Sequence, residues 1–269
     1  SGSCRWVRRA NAAGTADRRR LAHRRIRGFG TSRNLLSGEP ARAATQMTRR
    51  ELARMIDHTV LKPEATPADI DRLCQEAVTH GFIAVCVNPV WVARAAARLE
   101  GSGVLVASVI GFPLGANRTD TKVDETRRAI DDGAVEIDMV VRLGDLIAGD
   151  VQAVRDDIAA VAAAVHAASP KHELKVILET AALNEEQIIA GCKASIEGGA
   201  DFVKTSTGFH PTGGASVEAV RLLKQHAAPL KVKASGGIRD LAGALAMIEA
   251  GADRLGCSAG VKILSEIPE

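Results

Sequence analysis

From residue 50 onward the chain alternates eight short apolar runs with eight longer segments of helical period, a pattern that few folds can accommodate. The strand candidates are 56–60, 83–87, 105–110, 135–140, 174–178, 202–206, 232–235 and 254–257. Between them the spacing predicts helices over 67–80, 88–99, 118–132, 150–168, 185–198, 215–227 and 239–250, with a last one from 260. In 150–168, Val151, Val154, Ile158, Val161 and Val165 recur at steps of 3 and 4, one face of a helix. Thr66-Pro67 and Asn184-Glu185-Glu186 are helix starts, and Gly81, Gly133, Gly199 and Gly251 sit where a helix hands over to a strand. Strict strand–helix alternation implies a parallel sheet. The count and length suit a single-domain α/β fold, a closed (β/α)8 TIM barrel, better than an open doubly wound sheet. No G-x-G-x-x-G follows the first strand, which removes the usual nucleotide fingerprint of the open alternative. Catalytic groups of such barrels lie at the C-terminal ends of the strands.

Two lysines stand where lysine is normally excluded. Lys204 and Lys233 lie in apolar runs at the ends of the sixth and seventh strands, each opening a Lys-x-Ser-x-Gly pattern that closes at Gly208 and Gly237. A buried ammonium is costly to desolvate, and a second cation beside it lowers its pKa further, which leaves an amine nucleophile for carbonyl chemistry. The alternative is a snorkelling or ion-paired structural lysine. Lys175 and Lys231 open their strand candidates and are assigned to the stability face. Strand alternation puts Glu136, Asp138 and Val140 on one face and Val135, Ile137 and Met139 on the other. Asp138 is then a proton shuttle beside the lysines, or a charge-balancing partner for them. Glu179, also at a strand end, is held as a supporting residue.

Three glycine-bearing turns fall on the same face: Thr207-Gly208, Gly236-Gly237 and Gly256-Cys257-Ser258-Ala259-Gly260. Backbone N–H groups after the last strands form the usual phosphate cradle of these barrels, so a phosphorylated substrate is expected. Arg239 could add charge there, or stand exposed in a first helical turn. Cys86 reads as a small buried hydrophobe. His58 and His210 could line the mouth, with no catalytic role assigned. No metal-ligand spacing appears, so no metal is expected.

Composition separates two regions. The chain carries a formal net charge of +3, but residues 1–50 hold thirteen Arg against two acids, a net of +11 that leaves −8 for the remainder. Residues 1–46 therefore read as an Arg-rich extension, disordered or non-native, ahead of a catalytic domain over 47–269. The extension could be an organelle transit peptide, a nucleic-acid-binding arm, or an expression scar plus an upstream stretch before a start at Met47. Five scattered cysteines fit free thiols in a reducing compartment, and tyrosine is absent. No apolar run approaches the length of a membrane span. Neither a membrane nor nucleic acid is expected as a partner.

These segments together carry a resemblance. Ile56-Asp57-His58-Thr59-Val60-Leu61-Lys62-Pro63, Val85-Cys86-Val87-Asn88-Pro89, Gly111-Phe112-Pro113-Leu114-Gly115, Glu136-Ile137-Asp138-Met139-Val140 and the two lysine motifs resemble the deoxyribose-phosphate aldolase family, from about residue 50 to 265. The resemblance implies a metal-independent class I aldolase, without cofactor, that cleaves 2-deoxy-D-ribose 5-phosphate reversibly to D-glyceraldehyde 3-phosphate and acetaldehyde. It implies a cytoplasmic enzyme of deoxynucleoside catabolism, with a homo-oligomer possible. By position, Lys204 is the Schiff-base lysine, Lys233 tunes it and relays protons, and Asp138 with water moves protons. Thr207, Gly208, Gly236, Gly237 and Ser258 match phosphate- and substrate-contacting positions. The chain departs from the family in having Ser258-Ala259 where Ser-Ser is common, and in lacking a tail tyrosine that some members bring to the site. Rival readings are a class I aldolase for another phosphosugar and a non-catalytic phosphosugar-binding barrel.

Overall fold

The computed structural model describes residues 47–268; the expected extension over 1–46 lies outside the described residues. Among them, eight parallel strands close into one barrel in sequence order, with the last strand pairing the first. The strands are β1 (Ile56–Val60), β2 (Ala84–Val87), β3 (Leu105–Ile110), β4 (Glu136–Val140), β5 (Glu173–Ile177), β6 (Phe202–Lys204), β7 (Lys231–Ser235) and β8 (Arg254–Cys257). Helices alternate with them, as the periodicity predicts. Thr66 and Asn184 each cap a helix through a reciprocal capping box, and Gly81 ends the first of these in the left-handed conformation at φ 70°.

Several bounds differ from expectation. The segment expected as one helix over 88–99 is a 3₁₀ turn, Pro89–Trp91, followed by the helix Val92–Leu99. Two short helices, Arg49–Ala53 and Leu143–Ala148, escape the periodicity because five or six residues are too few to show it. β6 stops at Lys204, two residues short of the expected Ser206. There Thr205 keeps a backbone bond to Lys233 of β7, and its hydroxyl and the Ser206 carbonyl add side-chain bonds with Ser235.

The core has two unequal layers. The large apolar cluster joins one strand face, including Ile137, Met139, Val176, Val203 and Val232, to helix residues such as Ile158, Val161 and Leu223. Inside the barrel only Leu61, Cys86, Ala107 and Val109 cluster, with Phe112 packed against them. The rest of the lumen is charged. Asp57, Glu136, Asp138, Lys175, Lys204, Lys233 and Arg254 are all buried. On β4 the alternation is plain, with Ile137 and Met139 in the outer cluster and Glu136 and Asp138 turned inward.

Candidate active site

The parallel register sets Lys204 of β6 directly beside Lys233 of β7. Both ammonium groups donate to one oxygen: Asp138 Oδ2 accepts from Lys204 Nζ at 2.7 Å and from Lys233 Nζ at 2.7 Å. The other oxygen, Oδ1, accepts from Lys175 Nζ at 2.9 Å. The pairing of lysines and Asp138 that the strand ends predict is therefore direct contact. Lys204 is almost wholly enclosed, with 3% of its side chain exposed.

Behind this trio stands a support that residue spacing did not reveal. Lys233 Nζ also donates to Asp57 Oδ2. Asp57 Oδ1 accepts from Arg254 Nη1 at 2.7 Å, and the same nitrogen reaches Glu136 Oε1 at 3.2 Å. Lys175 Nζ donates to Glu136 Oε2 at 2.6 Å. Lys175 corrects the assignment to a stability face: β5 begins at Glu173, one residue earlier than expected, and the Lys175 side chain points into the lumen and bonds Asp138. Lys231 does open β7, exposed and paired with Glu173 at 2.8 Å. Charged residues at inward parity, Asp57 on the first strand and Arg254 on the last, were the available signal.

The electrostatics depart from simple desolvation. Burial alone would pull Lys233 down, but the carboxylates of Asp138 and Asp57 outweigh it and hold the ammonium above its ordinary value. Burial would lift Asp138, yet Lys175, Lys204 and Lys233 hold its carboxyl well below the usual range. Asp57 is likewise held low, against its burial, by Lys233 and Arg254. Lys233 is therefore held as a cation beside Lys204.

Above the lysines, the two Lys-x-Ser-x-Gly turns are stitched together. Ser235 N donates to Thr205 Oγ1 at 3.0 Å, and Ser235 Oγ to the Ser206 carbonyl at 2.5 Å. Gly236, at φ 87°, is in a conformation that strains any side chain, and a Cβ there would crowd the backbone at 3.0 Å from Gly214 Cα and 3.3 Å from Gly208 Cα. Gly256 leaves room for Lys233, whose Cε would stand 3.0 Å from a Cβ there. Gly208, Gly237 and Ser258 are exposed at this rim.

Thr207 differs from the other cradle candidates. Its N–H and hydroxyl both donate to the buried carboxylate of Glu179, at 3.2 and 2.5 Å, so neither donor is free for a ligand. Glu179 itself adopts the left-handed region at φ 60°, a costly conformation for this residue type that aims its carboxylate at the turn. Arg239 is exposed, the second of the two alternatives for it.

His58 does not line the mouth. It is buried, and its Nε2 meets Glu76 Oε2 of the helix Pro67–His80 at 2.7 Å. His210 lies in the loop after β6 and bonds Thr212 Oγ1 through Nδ1 at 2.6 Å. Cys86 is buried in the inner cluster, and burial pushes its thiol up to about 11. Phe112, after β3, and Phe209, after β6, meet edge to face with ring centres 5.3 Å apart, so the two loops touch at the C-terminal end of the barrel. Among the described residues, no group of three or more His, Cys, Asp or Glu is arranged to hold a metal ion, and no helix is long and apolar enough to cross a membrane.

The family description DeoC/LacD family aldolase matches residues 52–266. The chain belongs to the DeoC/LacD aldolase family. It is similar to the deoxyribose-phosphate aldolase of Brevibacillus brevis, 55% identical over 213 residues that cover 79% of this chain and 94% of that one. The deoxyribose-phosphate aldolase of Thermococcus kodakarensis is 53% identical over 226 residues, covering 83% and 100%. Among solved structures, a tetrameric deoxyribose phosphate aldolase from Aeropyrum pernix superposes with a TM-score of 0.76 at 35% identity, covering 81% of this chain and 91% of that one. As a DeoC/LacD aldolase the protein is a carbon–carbon lyase, and the matched span runs through all eight strands.

Proposed function

We propose that the protein cleaves 2-deoxy-D-ribose 5-phosphate reversibly to D-glyceraldehyde 3-phosphate and acetaldehyde, through an imine on Lys204. The observation that carries this reading is one carboxylate oxygen of Asp138 shared by two buried lysines at adjacent strand ends. Lys204 Nζ, as the free amine, adds to the C1 carbonyl of the open-chain sugar, and loss of water gives the imine. The protonated imine takes up the electron pair of the C2–C3 bond as the C3 hydroxyl gives up its proton, and glyceraldehyde 3-phosphate leaves. The two-carbon enamine left on Lys204 is protonated at C2 and hydrolysed to acetaldehyde. Asp138, with water, moves these protons, and the Lys233 ammonium on the same oxygen replenishes them.

The substrate phosphate is assigned to the N–H groups of Gly208, Gly236 and Gly237 and to the Ser258 hydroxyl, with Ala259 supplying one hydroxyl fewer than a serine would. Thr207 is assigned to the same site as the anchor of the Gly208 turn rather than as a direct ligand. Metal-independent catalysis, a catalytic domain over 47–269 behind a separate extension, and operation in the cytoplasm belong to the same reading; for the last, the support is four free buried thiols, Cys74, Cys86, Cys192 and Cys257. A homo-oligomer is in keeping with the Aeropyrum pernix relative.

Borohydride reduction in the presence of acetaldehyde, followed by peptide mass mapping, tests the reading. A two-carbon adduct is expected on Lys204, with chelators present or absent. An adduct confined to Lys233 would reverse the two roles, and none on either would leave a non-catalytic barrel. A panel of phosphosugars then checks the substrate, with fastest cleavage expected for deoxyribose 5-phosphate.

The Glu179 anchor is separable from the chemistry. Glu179→Gln weakens the charge-assisted bonds that hold Thr207 and is expected to raise KM for the phosphorylated substrate roughly fivefold to tenfold. Adduct formation with acetaldehyde alone should be unchanged. Equal losses in both assays would show that Glu179 supports the lysine site as a whole.

A further inference from the structure

We infer that Arg254 is a positioning residue for the reaction: it completes the set of permanent cations that satisfies the buried carboxylates, which leaves Lys204 free to react as the uncharged amine. The inference rests on the reading of Lys204 as the imine-forming residue and extends it to groups that never touch substrate.

The count of charges inside the barrel carries the argument. Three carboxylates, Asp57, Glu136 and Asp138, are interlinked with four basic groups, Lys175, Lys204, Lys233 and Arg254. Three of those bases bond two carboxylates each: Lys175 joins Glu136 to Asp138, Lys233 joins Asp57 to Asp138, and Arg254 joins Asp57 to Glu136. They close a ring of alternating charge that is neutral by itself. Lys204 hangs from this ring by a single bond to Asp138. It is the one base whose proton the carboxylates do not need. In a buried site an excess charge is the one that desolvation removes.

The remaining groups around Lys204 leave the count unchanged. Glu173, at the entrance of β5, pairs with the exposed Lys231 at 2.8 Å and stands 3.9 Å from Arg254. Glu179, beyond the end of β5, is taken up by Thr207 and shares no hydrogen bond or ion pair with the four bases among the described residues. Cys86 on β2 and Cys257 on β8 are thiols that burial pushes up to about 11 and about 12. The helix Glu185–Glu197, packed outside β6, buries Cys192, whose thiol burial pushes up to about 12. β3 brings no ionisable side chain. The ring members themselves are held in their charged forms. Lys175 and Arg254 stay above their ordinary values, against burial, through the carboxylates they bridge.

Acetaldehyde adduct formation on Lys204, trapped with borohydride and followed across pH, reads the effect. Arg254→Met removes one cation from the ring, so the Lys204 proton becomes the one that restores neutrality. The profile is expected to move about one unit or more to alkaline pH, with about tenfold slower trapping at neutral pH. Arg254→Lys keeps the charge and should keep the wild-type profile. Glu136→Gln removes a carboxylate and should move the profile the opposite way. The double variant Arg254→Met/Glu136→Gln is neutral again and should return to the wild-type profile. If Arg254→Met fails to fold, Glu136→Gln and the double variant decide the matter. Superimposable profiles for wild type and Glu136→Gln would overturn the role of Arg254. A wild-type protein that forms no adduct on Lys204 at any pH would overturn the functional reading instead, so the two failures are distinct.

Discussion

Replacing Lys204 with Leu should reduce cleavage of deoxyribose 5-phosphate by at least about 10⁴-fold, abolish borohydride trapping, and leave the barrel as stable as before. Loss of a covalent nucleophile removes the whole route through the imine, and neighbouring groups recover little of it. Stability should follow a different course. Lys204 donates to one acceptor, Asp138 Oδ2, which keeps Lys233 on the same oxygen and Lys175 on the other. The substitution removes a single donor to Asp138 and strands no carboxylate. A leucine there also fills most of the lysine volume with apolar atoms. Steady-state assay and thermal denaturation check the two halves together. Residual turnover above about a hundredth of wild type would show that Lys233 can serve as nucleophile. A large fall in melting temperature would show that Lys204 is structural.

The opposite pairing of effects is expected for Asp138→Asn, which should damage both function and fold. One carboxylate holds the Lys175 and Lys233 ammonium groups and the Lys204 Nζ, and an asparagine offers them a single neutral acceptor and an amide donor in place of the second oxygen. Stranding buried cations in this way costs about 3–5 kcal/mol. In a domain of this size that corresponds to a fall of roughly 6–20 °C in melting temperature. Cleavage should drop by about 10²–10⁴-fold, since the proton relay goes with the charge. The pH dependence gives a separate check. Asp138 and Asp57 are held below the usual carboxylate range, so their contribution to stability is complete above about pH 4 and is lost as pH falls through their lower folded values. Lys175 and Lys233 are held above the ordinary lysine value, so their contribution is complete below about pH 10 and is lost as pH rises through their higher folded values. Between these limits the wild-type network stabilises the fold evenly. The variant should start from a lower plateau and lose less on acidification. Urea midpoints measured from acid to neutral pH would sink this account if wild type and variant ran parallel.

The two expectations were not equally visible beforehand. Lys204, Lys233 and Asp138 announce themselves because a charge inside an apolar run is rare, and alternation fixes which neighbours share its face. The ring behind them does not. Strands of a parallel barrel are buried on both faces, so hydropathy alone does not say which face is the lumen. Lys175 illustrates the difficulty: a start one residue earlier than predicted on β5 changes it from a rim residue to an interior one. Asp57 and Arg254 are 197 positions apart, and only closure of β8 onto β1 brings them together. His58 misled for the same reason, since its position on β1 places it near the mouth in sequence while its ring faces a helix. The long helices and the Thr66 and Asn184 caps were legible because periodicity and capping chemistry are local, whereas Arg49–Ala53 and Leu143–Ala148 were too short to show a period.

The division of the core into a broad aliphatic layer outside the strands and a small, ionic lumen inside them bears on how such an enzyme can be improved. Activity and robustness commonly compete because the strained or polar groups that do the chemistry share packing with the groups that hold the fold. Here they are set on opposite faces of the same strands. Methyl groups can be added or exchanged between Ile158, Val161 and Val203 without touching a single charge around Lys204. The fold thereby offers a directed-evolution experiment two nearly independent handles, one for heat tolerance and one for rate.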